Sequence, residues 1–115
     1  MKISFEGLGE NMATFWNGAG NAGIQGQPVK LSDNGTVTTC GAGERFAGVA
    51  AFAGEESAAV QLCGYVKLAC SGTLPEVGYV NLMADGNGGV TVGAAGGEYL
   101  VLEVDSADGT VGIML

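Results

Sequence analysis

The chain has no histidine, only four basic residues, two prolines and a single tryptophan in 115 residues. Each shortage excludes something. Without an imidazole base, Ser/His/Asp and Cys/His nucleophilic machinery is unavailable, and an enzyme is not expected. Lys2, Lys30, Arg45 and Lys67 are too few and too scattered to displace counterions along a phosphate track, and the net charge is −8. Nucleic acid is therefore not an expected partner, and neither is an anionic membrane surface. The apolar run 46–54 is too short to span a bilayer. Cys40, Cys63 and Cys70 form no CxxC pair, so the spacings of zinc sites are absent. Either all three are thiols in a reducing cytoplasm, or Cys63 and Cys70 form one bridge. The opening Met1-Lys2-Ile3-Ser4-Phe5-Glu6 leads into no apolar h-region, which predicts synthesis and folding in a cytoplasm.

Glycine is what the chain has in excess, with 22 residues. Each glycine in a helix interior costs about 1 kcal/mol relative to alanine, so long helices are disfavoured. A hydrophobic content of 47% still supplies a core, which disordered chains lack. One glycine-punctuated β domain is the expectation. The acid surplus keeps such a domain soluble by self-repulsion and leaves apolar and backbone contacts for any partner.

A phrase of residues occurs twice. The first copy runs Gly26-Gln27-Pro28-Val29-Lys30-Leu31, Asp33-Asn34-Gly35, Val37-Thr38, Gly43-Glu44 and Val60-Gln61-Leu62. The second runs Gly78-Tyr79-Val80-Asn81-Leu82, Asp85-Gly86, Val90-Thr91, Gly97-Glu98 and Ile113-Met114-Leu115. Strands are predicted at 29–32, 36–40, 46–52, 58–69, 79–83, 89–92, 98–105 and 110–115, with a further short one at 2–5. Asn34-Gly35 is a hairpin signal because both residues tolerate positive φ. In 58–69, Val60, Leu62, Gly64, Val66 and Leu68 share the predicted inner face, and Gly64 predicts a bulge or sharp bend. In 98–105, Leu100, Leu102 and Val104 make the dry face. Residues 70–78 have room for one helical turn. The fold class is all-β, a small β-barrel or β-sandwich of about eight or nine short strands built from two similar units, 26–62 and 78–115. The single β domain spans 28–115, and 1–27 is predicted to be an extended N-terminal arm. That arm carries Phe5, Met12, Phe15 and Trp16, which either fold back onto the domain's own core or dock on a neighbouring chain.

Two motifs fail on context. Gly18-Ala19-Gly20-Asn21-Ala22-Gly23 spells GxGxxG but is followed by Ile24-Gln25-Gly26-Gln27-Pro28, which starts no helix for a pyrophosphate. Asp85-Gly86-Asn87-Gly88-Gly89 opens like a calcium loop, yet Val90 and Gly96 stand where glycine and glutamate are required. A tight turn is the expectation there, and no cofactor or metal is expected.

Taken together, the repeat, the acidic balance and the strand order resemble the small glycine-rich capsid decoration (cement) proteins of tailed phages and prophages. The resembling stretches are Gly26-Gln27-Pro28-Val29-Lys30-Leu31, Arg45-Phe46-Ala47-Gly48-Val49-Ala50, Ala59-Val60-Gln61-Leu62-Cys63-Gly64-Tyr65-Val66, Val77-Gly78-Tyr79-Val80-Asn81-Leu82 and Gly109-Thr110-Val111-Gly112-Ile113-Met114-Leu115. In that family a G-x-P-V start, an F-x-G-V-A strand and a V-x-L-x-G strand recur in this order. The match covers 26–115. It implies a non-catalytic virion protein, made in the bacterial host cytoplasm, that binds the major capsid protein on the outer shell, often as a homotrimer. Phe5, Met12, Phe15 and Trp16 are then the candidate contacts, through a strand added to a capsid edge or to the next subunit. The alternative is a small non-catalytic β module that binds carbohydrate or a protein on a phage tail or cell surface. Against it, Trp16, Tyr65 and Tyr79, the aromatics a sugar platform would need, lie far apart in sequence.

Overall fold

Short runs of alternating apolar residues, cut by glycine turns, fold into ten strands in the computed structural model, which describes residues 11–115. They are β1 (Asn11–Asn17), β2 (Pro28–Asp33), β3 (Thr36–Thr39), β4 (Gly48–Ala53), β5 (Ser57–Cys63), β6 (Tyr65–Ala69), β7 (Gly78–Ala84), β8 (Val90–Val92), β9 (Gly97–Asp105) and β10 (Thr110–Met114). The only helical element among the described residues is one 3-10 turn at Ala22–Ile24. The protein is all-β, and the stretch 70–78, which had room for one helical turn, forms none. The strand expected at 2–5 lies outside the described residues, and among these two strands exceed the expected set. One is β1. The other arises because Gly64, at φ +95°, ends β5 and lets the chain leave one sheet for another as β6. A residue with a Cβ is strained at that angle.

The strands form two five-stranded units in series. In the first, the order β1-β3-β2-β4-β5 closes into a barrel, because β5 also pairs β1. The second has the order β6-β10-β9-β7-β8. Here β6 flanks β10 as β1 flanks β5. Cys70 bridges Val90 in parallel, just as Asn17 pairs Val37. The structural repeat therefore starts one strand earlier in each copy than the sequence phrase does. The first barrel is closed by the six-residue ladder from Asn11↔Cys63 to Trp16↔Ser57. The second unit is a five-stranded sheet whose two ends meet only at the isolated Cys70–Val90 bridge, with the Ser71 amide on Val90 O at 2.9 Å and the Thr91 hydroxyl on Ser71 O at 3.0 Å.

This arrangement corrects the expected arm. From Asn11 onward the chain is a stave of the barrel, paired to β5 along one side and, at Trp16 and Asn17, to β3 on the other. Asn17 is buried, and its amide donates to Gly54 O and Asn21 O, both at 2.8 Å. Ile24 from the following loop is buried in the barrel core with Val29, Val37, Ala50, Ala53, Ala58 and Val60. The Asn/Gly composition of 7–23 suggested a loop because the strand's inward positions, Ala13, Phe15 and Asn17, include only one large apolar residue.

The second core gathers Leu68, Cys70, Leu82, Val90, Val101, Val111 and Ile113, and it takes in Phe46 and Val49 from the first unit. Phe46 stacks on Tyr99 at 4.8 Å between centroids, and the Tyr99 hydroxyl donates to Phe46 O at 3.2 Å. The Gly43 amide donates to Ala84 O, and the Ala84 amide to Glu44 O, both at 2.9 Å. These contacts weld the units into one body. Its radius of gyration of 13.4 Å matches the value of about 13 Å for a single domain of this length.

Two face assignments are corrected. In β5 the inner face holds Ala58 and Val60 but not Leu62, which is exposed, while Gln61 is buried where the second unit begins. The Gln61 amide donates to Tyr65 O at 2.7 Å and Cys63 O at 3.1 Å, clamping both sides of Gly64. Tyr65, expected on the wetter face, is also buried. Its ring lies over Gly112, where an added Cβ would stand 2.4 Å from the hydroxyl oxygen, and that hydroxyl donates to the Glu103 carboxylate. In β9 a register shift between Gly112 and Ile113 of β10 inserts Leu102 as an extra residue. Tyr99 and Val101 therefore face the core, and Leu100 faces outward. The Cys63–Cys70 bridge is also excluded. The five residues of β6 separate the two thiols, a span of about 16 Å at roughly 3.3 Å per residue, far beyond disulfide reach.

Candidate functional site

The expected partner contacts separate into three groups. Phe5 lies outside the described residues. Phe15 points inward and packs against the first core. Met12 and Trp16 point outward, 52% and 65% exposed. β1 is paired with β5 along its length but with β3 only at Trp16 and Asn17, so the exposed Met12 and Trp16 side chains are the contacts it offers outward on the face shared with β5.

Phe52, which the sequence reading placed in a strand but not at a site, joins Met12 and Trp16. The register runs Thr14↔Ala59 from β1 to β5 and Ala59↔Phe52 from β5 to β4, so Phe52 stands on the same outer face as Thr14 and its two-residue neighbours Met12 and Trp16. A shift between Ala50 and Phe52 makes Ala51 the extra residue and turns the Phe52 ring to solvent, 65% exposed. A bulge of this kind re-aims one side chain without a composition signal. Beside Trp16, a shallow cleft of about 400 Å³ is lined by Thr14, Phe15, Trp16, Asn34, Gly35 and Ser57. The row carries no charge, and the acids Glu55 and Glu56 sit exposed in the β4–β5 turn at its border. An apolar surface with a polar border is the usual form of a protein interaction site.

The remaining polar groups serve the fold. Lys30 Nζ lies 2.5 Å from Glu44 Oε2, and Glu44 Oε1 accepts from the Gly41 amide at 2.7 Å. The Lys30 hydrogen bond and then the Gly41 amide hold the Glu44 carboxyl below its ordinary range. Glu98, its sequence-repeat counterpart, is exposed on β9 opposite Asn81, so the two acids do not share a role. Burial works to raise the Asp85 carboxyl, but amides from Asn87 at 2.7 Å and Gly89 at 3.0 Å, with the Ser71 hydroxyl at 3.0 Å, leave it below the ordinary value. Asp85 thus ties a turn. Burial pushes the Cys40 thiol up to about 11, helped by the Glu44 charge. It also raises Cys70 and, against the pull of Arg45, Tyr99. The GxGxxG stretch of 18–23 leads into the three-residue 3-10 turn, where the Asn21 side chain caps the Gly23 amide at 2.8 Å. No α-helix N-terminus follows it, so it offers no phosphate cradle.

Trp16, Tyr65 and Tyr79 do not form a shared sugar platform, since Tyr65 is buried and Trp16 and Tyr79 stand on different units. No helix among the described residues is long and apolar enough to cross a membrane. In comparisons with known proteins, no family model matches the chain and no curated protein is similar enough to count as a relative.

Proposed function

We propose that this chain is a structural phage head protein that binds the major capsid protein on the outside of the assembled shell and reinforces it. The observation that carries the reading is the uncharged outer row of the first barrel, with Met12, Trp16 and Phe52 turned to solvent. Burying the exposed part of Trp16 alone removes about 150 Å² of surface, worth about 4 kcal/mol gross at 25 cal/mol per Å². Two features of the chain support the role. Both units spend their buried side chains on packing rather than on a polar pocket, and the acidic surface favours docking through apolar contact. A protein that binds only the assembled state stabilises it by about 2.7 kcal/mol per site at a hundredfold excess over Kd, and a shell repeats that site many times.

The test is co-sedimentation with purified capsids. Wild-type protein pellets saturably with assembled shells, and Trp16→Ala or Phe52→Glu weakens binding at least tenfold while leaving the circular dichroism unchanged. Undiminished binding by both folded variants would remove the proposed face, and no binding by the wild type would remove the function.

A further inference from the structure

The internal repeat shows what covers each unit, and one covering is missing at either end. Registers run Pro28↔Val49↔Gln61 across β2, β4 and β5 and Tyr79↔Leu100↔Met114 across β7, β9 and β10, so these rows are equivalent. The first row is buried against the second unit, with Val49 3% and Gln61 5% exposed. In the second row Tyr79 is 72% exposed, while Leu100 and Met114 are half-buried. The reciprocal surface shows the same asymmetry. Leu82 of the second unit is 0% exposed in the core that receives Phe46 and Val49, whereas Leu31, its counterpart in the repeat, is 59% exposed. Leu31 and Leu62 line a groove of about 500 Å³ that runs on to Phe46 and Tyr99. Lys30 and Arg45 stand in that groove, while exposed Glu98 stands beside Leu100's row, opposite Asn81.

We infer that a second copy of this chain docks head to tail, its Leu31–Leu62 groove seated on the Tyr79–Leu100–Met114 row, so that the contact joining the two units within a chain is continued between chains. The two mating faces differ, so the contact is heterologous: it closes into a ring if the rotation permits and otherwise extends. The charge contribution comes from Arg45 alone, since Lys30 is already paired with Glu44, and it would meet a row flanked by the exposed Glu98. Phe46 has Gly97 at its equivalent place, and the Tyr79 ring supplies the aromatic that the outer contact would otherwise lack. The inference does not rest on shell binding. It is tested without capsids, and its failure leaves the Met12–Trp16–Phe52 row untouched.

The experiment is mass measurement by light scattering on the full chain. Wild type is expected to run as an oligomer at micromolar concentration. Leu31→Glu and Tyr79→Glu, both at exposed positions, are each expected to be monomeric, with wild-type circular dichroism and thermal melts. An equimolar mixture of the two variants gives a dimer and nothing larger, because one intact groove and one intact row remain. A monomeric wild type, a single folded variant that assembles like the wild type, or a mixture that stays monomeric would each overturn the inference. Should either glutamate variant melt early, Leu31→Ser and Tyr79→Ser carry the same readout.

Discussion

Replacing Gln61 with leucine tests the hinge between the two units most sharply. The side chain is buried, and its amide is a donor to the carbonyls of Tyr65 and Cys63 on both sides of Gly64. Leucine keeps the volume but withdraws the donor from both carbonyls. Each lost hydrogen bond costs about 1 kcal/mol, and an acceptor left dry costs about 1–3 kcal/mol more. The sum is at least about 3 kcal/mol, which lowers Tm by at least about 10 °C in a chain of this size. Urea unfolding followed by circular dichroism reads the loss directly. A loss under about 1 kcal/mol would refute the clamp, and with it the claim that the inner face of β5 changes at Gln61.

Three further outcomes follow from the same geometry. Val60→Ala, at a fully buried position, costs about 2 kcal/mol, whereas Leu62→Ala in dilute protein changes stability by less than about 0.5 kcal/mol; the reverse order in urea titrations would contradict the face assignment. Cys40, with its thiol raised to about 11, carries about 0.1% thiolate at pH 8, so mass-spectrometric mapping of disulfide-reagent labelling finds it over a hundredfold slower in the folded than in the unfolded chain, and equal rates would contradict its burial. The Asp85 carboxyl is lowered in the folded state, so its stabilisation is present above the ordinary aspartate value near 3.9 and is lost as pH falls through the folded value. Asp85→Asn therefore narrows the stability gap to wild type as the solution is acidified below about pH 4, and a gap that does not change with pH would exclude the carboxylate's role.

The sequence carried the fold class through its strongest local signals. Asn34-Gly35 marked the β2–β3 hairpin, the doubled VxL phrases marked equivalent strands, and Gly64 marked the break between β5 and β6. What it hid has physical causes. β1 escaped notice because its inward positions are Ala13, Phe15 and Asn17, and a buried asparagine paid by two carbonyl acceptors gives no hydrophobic period. Phe52 and Leu100 escaped because bulges at Ala51 and Leu102 reverse the alternation on which face assignment depends. Leu62 escaped because its counterpart Leu115 packs on the second core while it does not, a difference set by where a neighbouring unit lies rather than by the residue. Of the candidate contacts, Met12 and Trp16 were legible as unusual residues, but their shared outward face appears only once β1 is paired.

An electron cryomicroscopy map of capsids saturated with this chain bears most directly on the account. It is predicted to place the outer row of β1, β5 and β4 against the shell, with density from Trp16 and Phe52 continuous with the capsid protein. A map in which that row faces solvent, or shells that carry no added density, would contradict it.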